Sequence, residues 1–134
     1  ANSDNVLRGG LTPKHVDVKE LMKHVSFEAI VPQVIHGTLR ENQEEVFLSP
    51  APDFQLSRLS PAKGETASLH SSTVEIFIAM EGVSTLKEDE TRELLLKSGE
   101  AAVSFAGARL KVSIPAGGIL YRASCGLVPG HLFE

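Results

Sequence analysis

The sequence predicts an all-β protein, a β-sandwich or jelly roll with one short helix near its start. Three observations carry that prediction. Apolar residues recur at every second position through most of the chain, the period of a strand with two different faces. Clusters of Pro, Gly, Ser and acidic residues interrupt these runs every 8–12 residues or so, which is the rhythm of sandwiches and barrels rather than of alternating strands and helices. Only one segment shows helical spacing.

That segment comes first. Asp17 with Glu20 three residues later reads as a capping box, and Val18, Leu21, Met22 and Val25 then fall on one helical face, giving a helix over about 18–25. Thr12-Pro13 is an N-cap and first-turn pair, predicting a short helical turn just after Gly9 and Gly10. From about residue 28 the period becomes two. Val74, Ile76, Ile78 and Met80 alternate with Glu75, Phe77 and Ala79, and Leu110, Val112 and Ile114 alternate with Arg109, Lys111 and Ser113. Ala101, Val103 and Phe105 form a third set. Turns are predicted at 49–53 (SPAPD), 60–65 (SPAKGE), 87–90 (KEDE), 97–100 (KSGE) and 115–118 (PAGG). The charged run at 40–45 (RENQEE) reads as a solvated loop or strand edge. The chain divides at this change of period into a polar, Gly-rich opening with its helix, 1–27, and a β domain, 28–134.

Composition bounds the function. The 134 residues suffice for one domain with a core, and mean hydropathy near zero is that of a soluble globular protein. A net charge of −4 gives no electrostatic case for nucleic acid or an anionic membrane, and no apolar run reaches the roughly 18 residues of a membrane span. The single cysteine, Cys125, rules out an intrachain disulfide, is expected to pack structurally beside a strand, and fits the cytoplasm.

The β domain, with its segment LKSGEAAVSFAG, resembles the cupin family, whose fold is a small jelly roll with a metal bound by two motifs. Gly64, His70, Glu75 and Gly82 fall at or near the first motif, but Ser72 stands where a second His belongs. In the second motif Leu110 occupies the ligand position. Two of four ligands are thus replaced by a hydroxyl and an aliphatic group, too few for a transition-metal site. A degenerate, metal-free cupin-like jelly roll is expected, with His70 an ordinary surface or hydrogen-bonded histidine.

The opening is more specific. Ser3, Asp4, Asn5, Val6, Arg8, Gly10, Leu11, Thr12, Pro13 and Lys14 match a near-continuous signature. On these residues the chain resembles the type I phosphomannose isomerases, and its later SPAPDFQLSRL and cupin-like domain resemble the C-terminal part of that family. The resemblance implies a zinc-dependent interconversion of mannose 6-phosphate and fructose 6-phosphate. It makes Arg8 the catalytic arginine and turns Lys14 toward the active site. Residue chemistry agrees: a guanidinium is permanently charged and rich in donors, suited to an enediolate oxygen, and an ammonium at a helical turn favours phosphate. Asp4 and Asn5 are expected to brace the loop.

The resemblance also implies one zinc, held by a Gln, two His and a Glu that precede the signature, so no metal ligand is assigned in this chain. The expectation is a C-terminal segment whose partners are a sugar phosphate and an upstream catalytic domain, inactive by itself. The alternative is a non-catalytic cupin-like sugar-binding or scaffold module.

Overall fold

A computed structural model describes residues 6–51 and 53–125. The chain forms two compact units, Ala1–Val34 and Ile35–Glu134.

The first unit contains the helix, α1, Val18–His24. Asp17 caps it, its carboxylate accepting from the Glu20 amide at 2.9 Å. Only half of the predicted capping box forms. Glu20 turns away from the cap to Lys23 (2.5 Å) and His24 (3.2 Å), and those partners, Lys23 first, hold its carboxyl below the usual range. The Asp17 amide, which Glu20 would otherwise have taken, donates instead to the Arg8 carbonyl. No α1 residue is buried, so the apolar stripe is real but uncovered. Thr12-Pro13 does not begin a helical turn: residues 10–14 are bends, and Thr12 Oγ1 merely accepts from the Lys14 amide at 3.2 Å. No regular element occupies residues 25–37.

The second unit holds ten strands: β1 Thr38–Leu39, β2 Glu44–Phe47, β3 Gln55–Leu59, β4 Ala67–His70, β5 Glu75–Glu81, β6 Val83–Glu88, β7 Arg92–Lys97, β8 Ala101–Ser104, β9 Arg109–Ser113 and β10 Ile119–Ser124. They form a six-stranded sheet, β1-β2-β3-β10-β5-β8, and a four-stranded sheet, β4-β9-β6-β7, with antiparallel pairing. The predicted turns at 49–53, 60–65 and 115–118 fall between strands, and that at 97–100 does so after Lys97, which ends β7. The one at 87–90 is displaced: Lys87 and Glu88 finish β6, and Asp89 and Glu90, both at positive φ (46° and 60°), make the hairpin turn.

Between the sheets lies a core centred on Leu59, Leu69, Phe77, Leu110, Val112, Ile114 and Leu120. Each such side chain contributes roughly 1.5–3 kcal/mol by leaving water. The Leu110, Val112 and Ile114 set faces this core. In β5 the opposite holds: Glu75, Phe77 and Ala79 point inward, while Ile76, Ile78 and Met80 are exposed, as are Val103 and Phe105. Two glycines seat the β5–β10 junction. A Cβ on Gly82 would collide with the Gly117 carbonyl, and one on Gly118 with the Glu81 carbonyl, where the β5–β10 register shifts.

Candidate functional site

The signature loop is described from Val6 to Lys14; Asp4 and Asn5, expected to brace it, lie outside the described residues. Its path is set by three local features. The Asp17 amide donates to the Arg8 carbonyl at 3.1 Å, fastening the loop to the residue that caps α1. Gly9 lies against the helix, where a Cβ would sit 3.1 Å from Leu21 Cδ2. Gly10 (φ 156°) and Leu11 (φ 55°) then turn the chain through conformations most side chains avoid, and Leu11 is thrown fully into solvent.

The Arg8 main chain is therefore pinned while its side chain, half-buried, is not engaged by any described residue in a hydrogen bond or ion pair. Lys14 is exposed, with no described side-chain partner. Two permanently or normally cationic groups thus stand six positions apart on one fixed loop, without an acidic residue among residues 6–16 to neutralise them. Such a loop can meet an anionic ligand through charge-assisted hydrogen bonds. Lys14 does so without a helix N-terminus behind it, because the predicted helical turn is absent.

In the β domain the residues at cupin-motif positions diverge. His70 is exposed and faces outward on β4, in register with Arg109; Ser72 is exposed; Glu75 and Leu110 point into the interior. Among the described residues no group of three His, Cys, Asp or Glu side chains could hold a metal ion. A zinc ion does not fit the donor set of the described residues.

Glu75 instead belongs to a buried polar network that the sequence reading missed. Arg122 on β10 donates from Nε and Nη2 to the two Glu75 oxygens (2.9 and 2.5 Å) and from Nη1 to Glu44 Oε1 (2.8 Å). Ser57 donates to Glu44 at 2.5 Å, and Ser71 to Glu75 at 2.8 Å with Ser104 beside it. Glu44 is only 4% exposed, so the run at 40–45 is not simply a solvated loop or edge. Burial pushes its carboxyl up, but Ser57 and the Arg122 charge outweigh this and hold it below the ordinary range. Burial likewise opposes the Arg122 charge and is outweighed by Glu75 and Glu44, which raise its pKa. Phase alone pairs Arg122 with Leu120 on β10 and Glu75 with Phe77 on β5, but does not say which face of either strand turns inward. Cys125, expected to pack, is an exposed free thiol.

The structure thus defines a cupin-like jelly roll, its motif carboxylate committed to an internal arginine, together with a loop–helix unit presenting Arg8 and Lys14. No family model matches the sequence. Among curated proteins, the chain is 41% identical over 109 residues to mannose-6-phosphate isomerase of Salmonella typhimurium, covering 81% of this chain and 27% of that protein. It is 39% identical over 103 residues to the Escherichia coli enzyme of the same name, covering 76% and 26%. The apo crystal structure of the Salmonella typhimurium mannose 6-phosphate isomerase superposes with a TM-score of 0.74 at 34% identity, covering 95% of this chain and 32% of that one. The chain belongs to the mannose-6-phosphate isomerase family, matching a C-terminal part of its members. It spans about a quarter of the length of these bacterial relatives. Among the described residues no helix is long and apolar enough to cross a membrane.

Proposed function

We propose that this chain is the C-terminal part of a zinc-dependent aldose–ketose isomerase that interconverts mannose 6-phosphate and fructose 6-phosphate in the cytoplasm. The signature loop carries the proposal, with Arg8 fastened through its carbonyl to the N-terminus of α1. The isomerisation moves a proton between C1 and C2 and builds negative charge on the oxygens of an enediolate. Arg8 is the catalytic residue that meets this charge: its guanidinium donates without titrating, and a fixed main chain lowers the cost of positioning it. Lys14 holds the substrate through its phosphate or a neighbouring oxygen. Zinc is assigned to an upstream catalytic domain of the same protein, since the resemblance of the signature to the phosphomannose isomerases puts the zinc ligands before it.

The test is Arg8→Ala in the longer enzyme that contains this chain. Turnover should fall on the order of 10²–10³-fold, with zinc content and unfolding unchanged, whereas Lys14→Ala should act mainly by raising KM. Undiminished turnover in Arg8→Ala overturns the assignment. It would leave the non-catalytic module, which the exposed position of His70 and the buried one of Glu75 would then favour as a scaffold rather than a metal protein.

A further inference from the structure

The two outer faces of the sandwich differ in kind. Across the four-stranded sheet one outward row runs Ser68, Lys111, Lys87, Glu93, polar on every strand. Next to it, Glu90 joins Lys87 (2.8 Å) and Lys111 (2.5 Å). That is the solvated face expected of an antiparallel sheet packed on one side. The six-stranded sheet departs from this. Its outward row runs Phe47, Leu56, Ala123, Ile76, Val103 across five strands in continuous register, without one polar side chain. The row is roughly 19 Å wide at ordinary strand spacing. Ile76 and Val103 are more than half exposed, and Ile78 adjoins them. The adjacent row ends at the β2–β3 side in the Glu45–Arg58 ion pair, an apolar centre with a charged border.

A contiguous apolar surface with a polar border marks an interaction site. The chain covers only 26–27% of its Salmonella typhimurium and Escherichia coli relatives, so most of the homologous polypeptide is available to cover the face. We infer that the outer face of the six-stranded sheet docks against an apolar surface of the upstream catalytic domain of the same protein, and that the jelly roll is thereby fixed to it. The inference rests on the isomerase reading above for the identity of its occupant.

The experiment places Ile76→Lys with Val103→Lys in the longer enzyme, with Leu95→Lys on the opposite outer face as control. Thermal unfolding of the parent should be a single transition. The double variant should split it into two and expose the junction to limited proteolysis at least tenfold faster, while the control changes neither. Ile76→Thr with Val103→Thr, which keeps β-branched side chains on both strands, should shift in the same direction with the sheet's circular dichroism retained. An unsplit transition in both double variants overturns the docking site. So does a dimer of the longer enzyme that the lysines dissociate, since the occupant would then be a second copy. Failure of the isomerase reading shows separately, as a parent enzyme without sugar-phosphate turnover whatever its unfolding does.

Discussion

Arg122 sits between two buried carboxylates, and its fork decides what the interior of the jelly roll can be. Three of its N–H groups are spent on Glu75 and Glu44. A bidentate guanidinium satisfies both oxygens of Glu75, which a point-charged ammonium cannot do. Such a buried network is weak evidence of net stabilisation, but removing the cation alone leaves two desolvated anions. Arg122→Met should therefore cost about 3–5 kcal/mol at neutral pH, read as a lower urea midpoint with the slope unchanged. Arg122→Lys should fall between that variant and the parent. Equal midpoints for Met and Arg at position 122 would show that the carboxylates find other partners. Arg8 poses the contrary case, a guanidinium whose backbone is fastened at its carbonyl and whose side chain is engaged by no described residue.

Strand positions could be read from the sequence because turn chemistry is local: the Gly and Pro residues at 115–118 and 97–100 stop strands wherever they stand. Which face of a strand turns inward is not local. In β5 both faces carry apolar side chains, and a glutamate in phase with Phe77 argues for solvent until its partner is known. That partner, Arg122, is 47 residues away, and it is 78 from Glu44, whose charged neighbours disguise it further. Neither Arg8 nor Lys14 stands out by periodicity or spacing; only the whole signature singles them out. The helical turn expected at Thr12-Pro13 fails because Gly10 and Leu11 lead the chain in through positive φ. Glycine geometry gives the prediction at this scale. Gly118 (φ 148°) abuts the Glu81 carbonyl at the register shift, while Gly99 (φ 86°) has open space around it. Gly99→Ala should cost about 1 kcal/mol, the backbone term alone, and Gly118→Ala about 2–4 kcal/mol because β5 and β10 must also separate. Equal losses in chemical unfolding would show that the junction relaxes freely.

Taken whole, the molecule stores its carboxylate interactions at two depths, and acid should separate them. Glu44 is held below its ordinary range inside the sandwich, whereas Glu90 is fully exposed and lowered to about 2 by Lys111 first and Lys87 second. Both are depressed carboxylates, so their contributions are complete above the unfolded value of about 4.3. They are lost as pH falls through the folded values. Their response to salt differs. Exposed pairs are screened within a Debye length of roughly 3 Å at 1 M salt, while a buried pair is screened much less. Thermal midpoints measured from pH 6 to pH 2 should therefore fall in both low and high salt, with a shallower fall in 1 M salt. Glu90→Gln should flatten the low-salt curve and leave the high-salt curve nearly unchanged. Glu44→Gln, which keeps volume and an acceptor for Ser57 but not the charge facing Arg122, should flatten both. A Glu44→Gln curve that follows the parent at high salt would mean that the buried network does not set the acid limit of the fold.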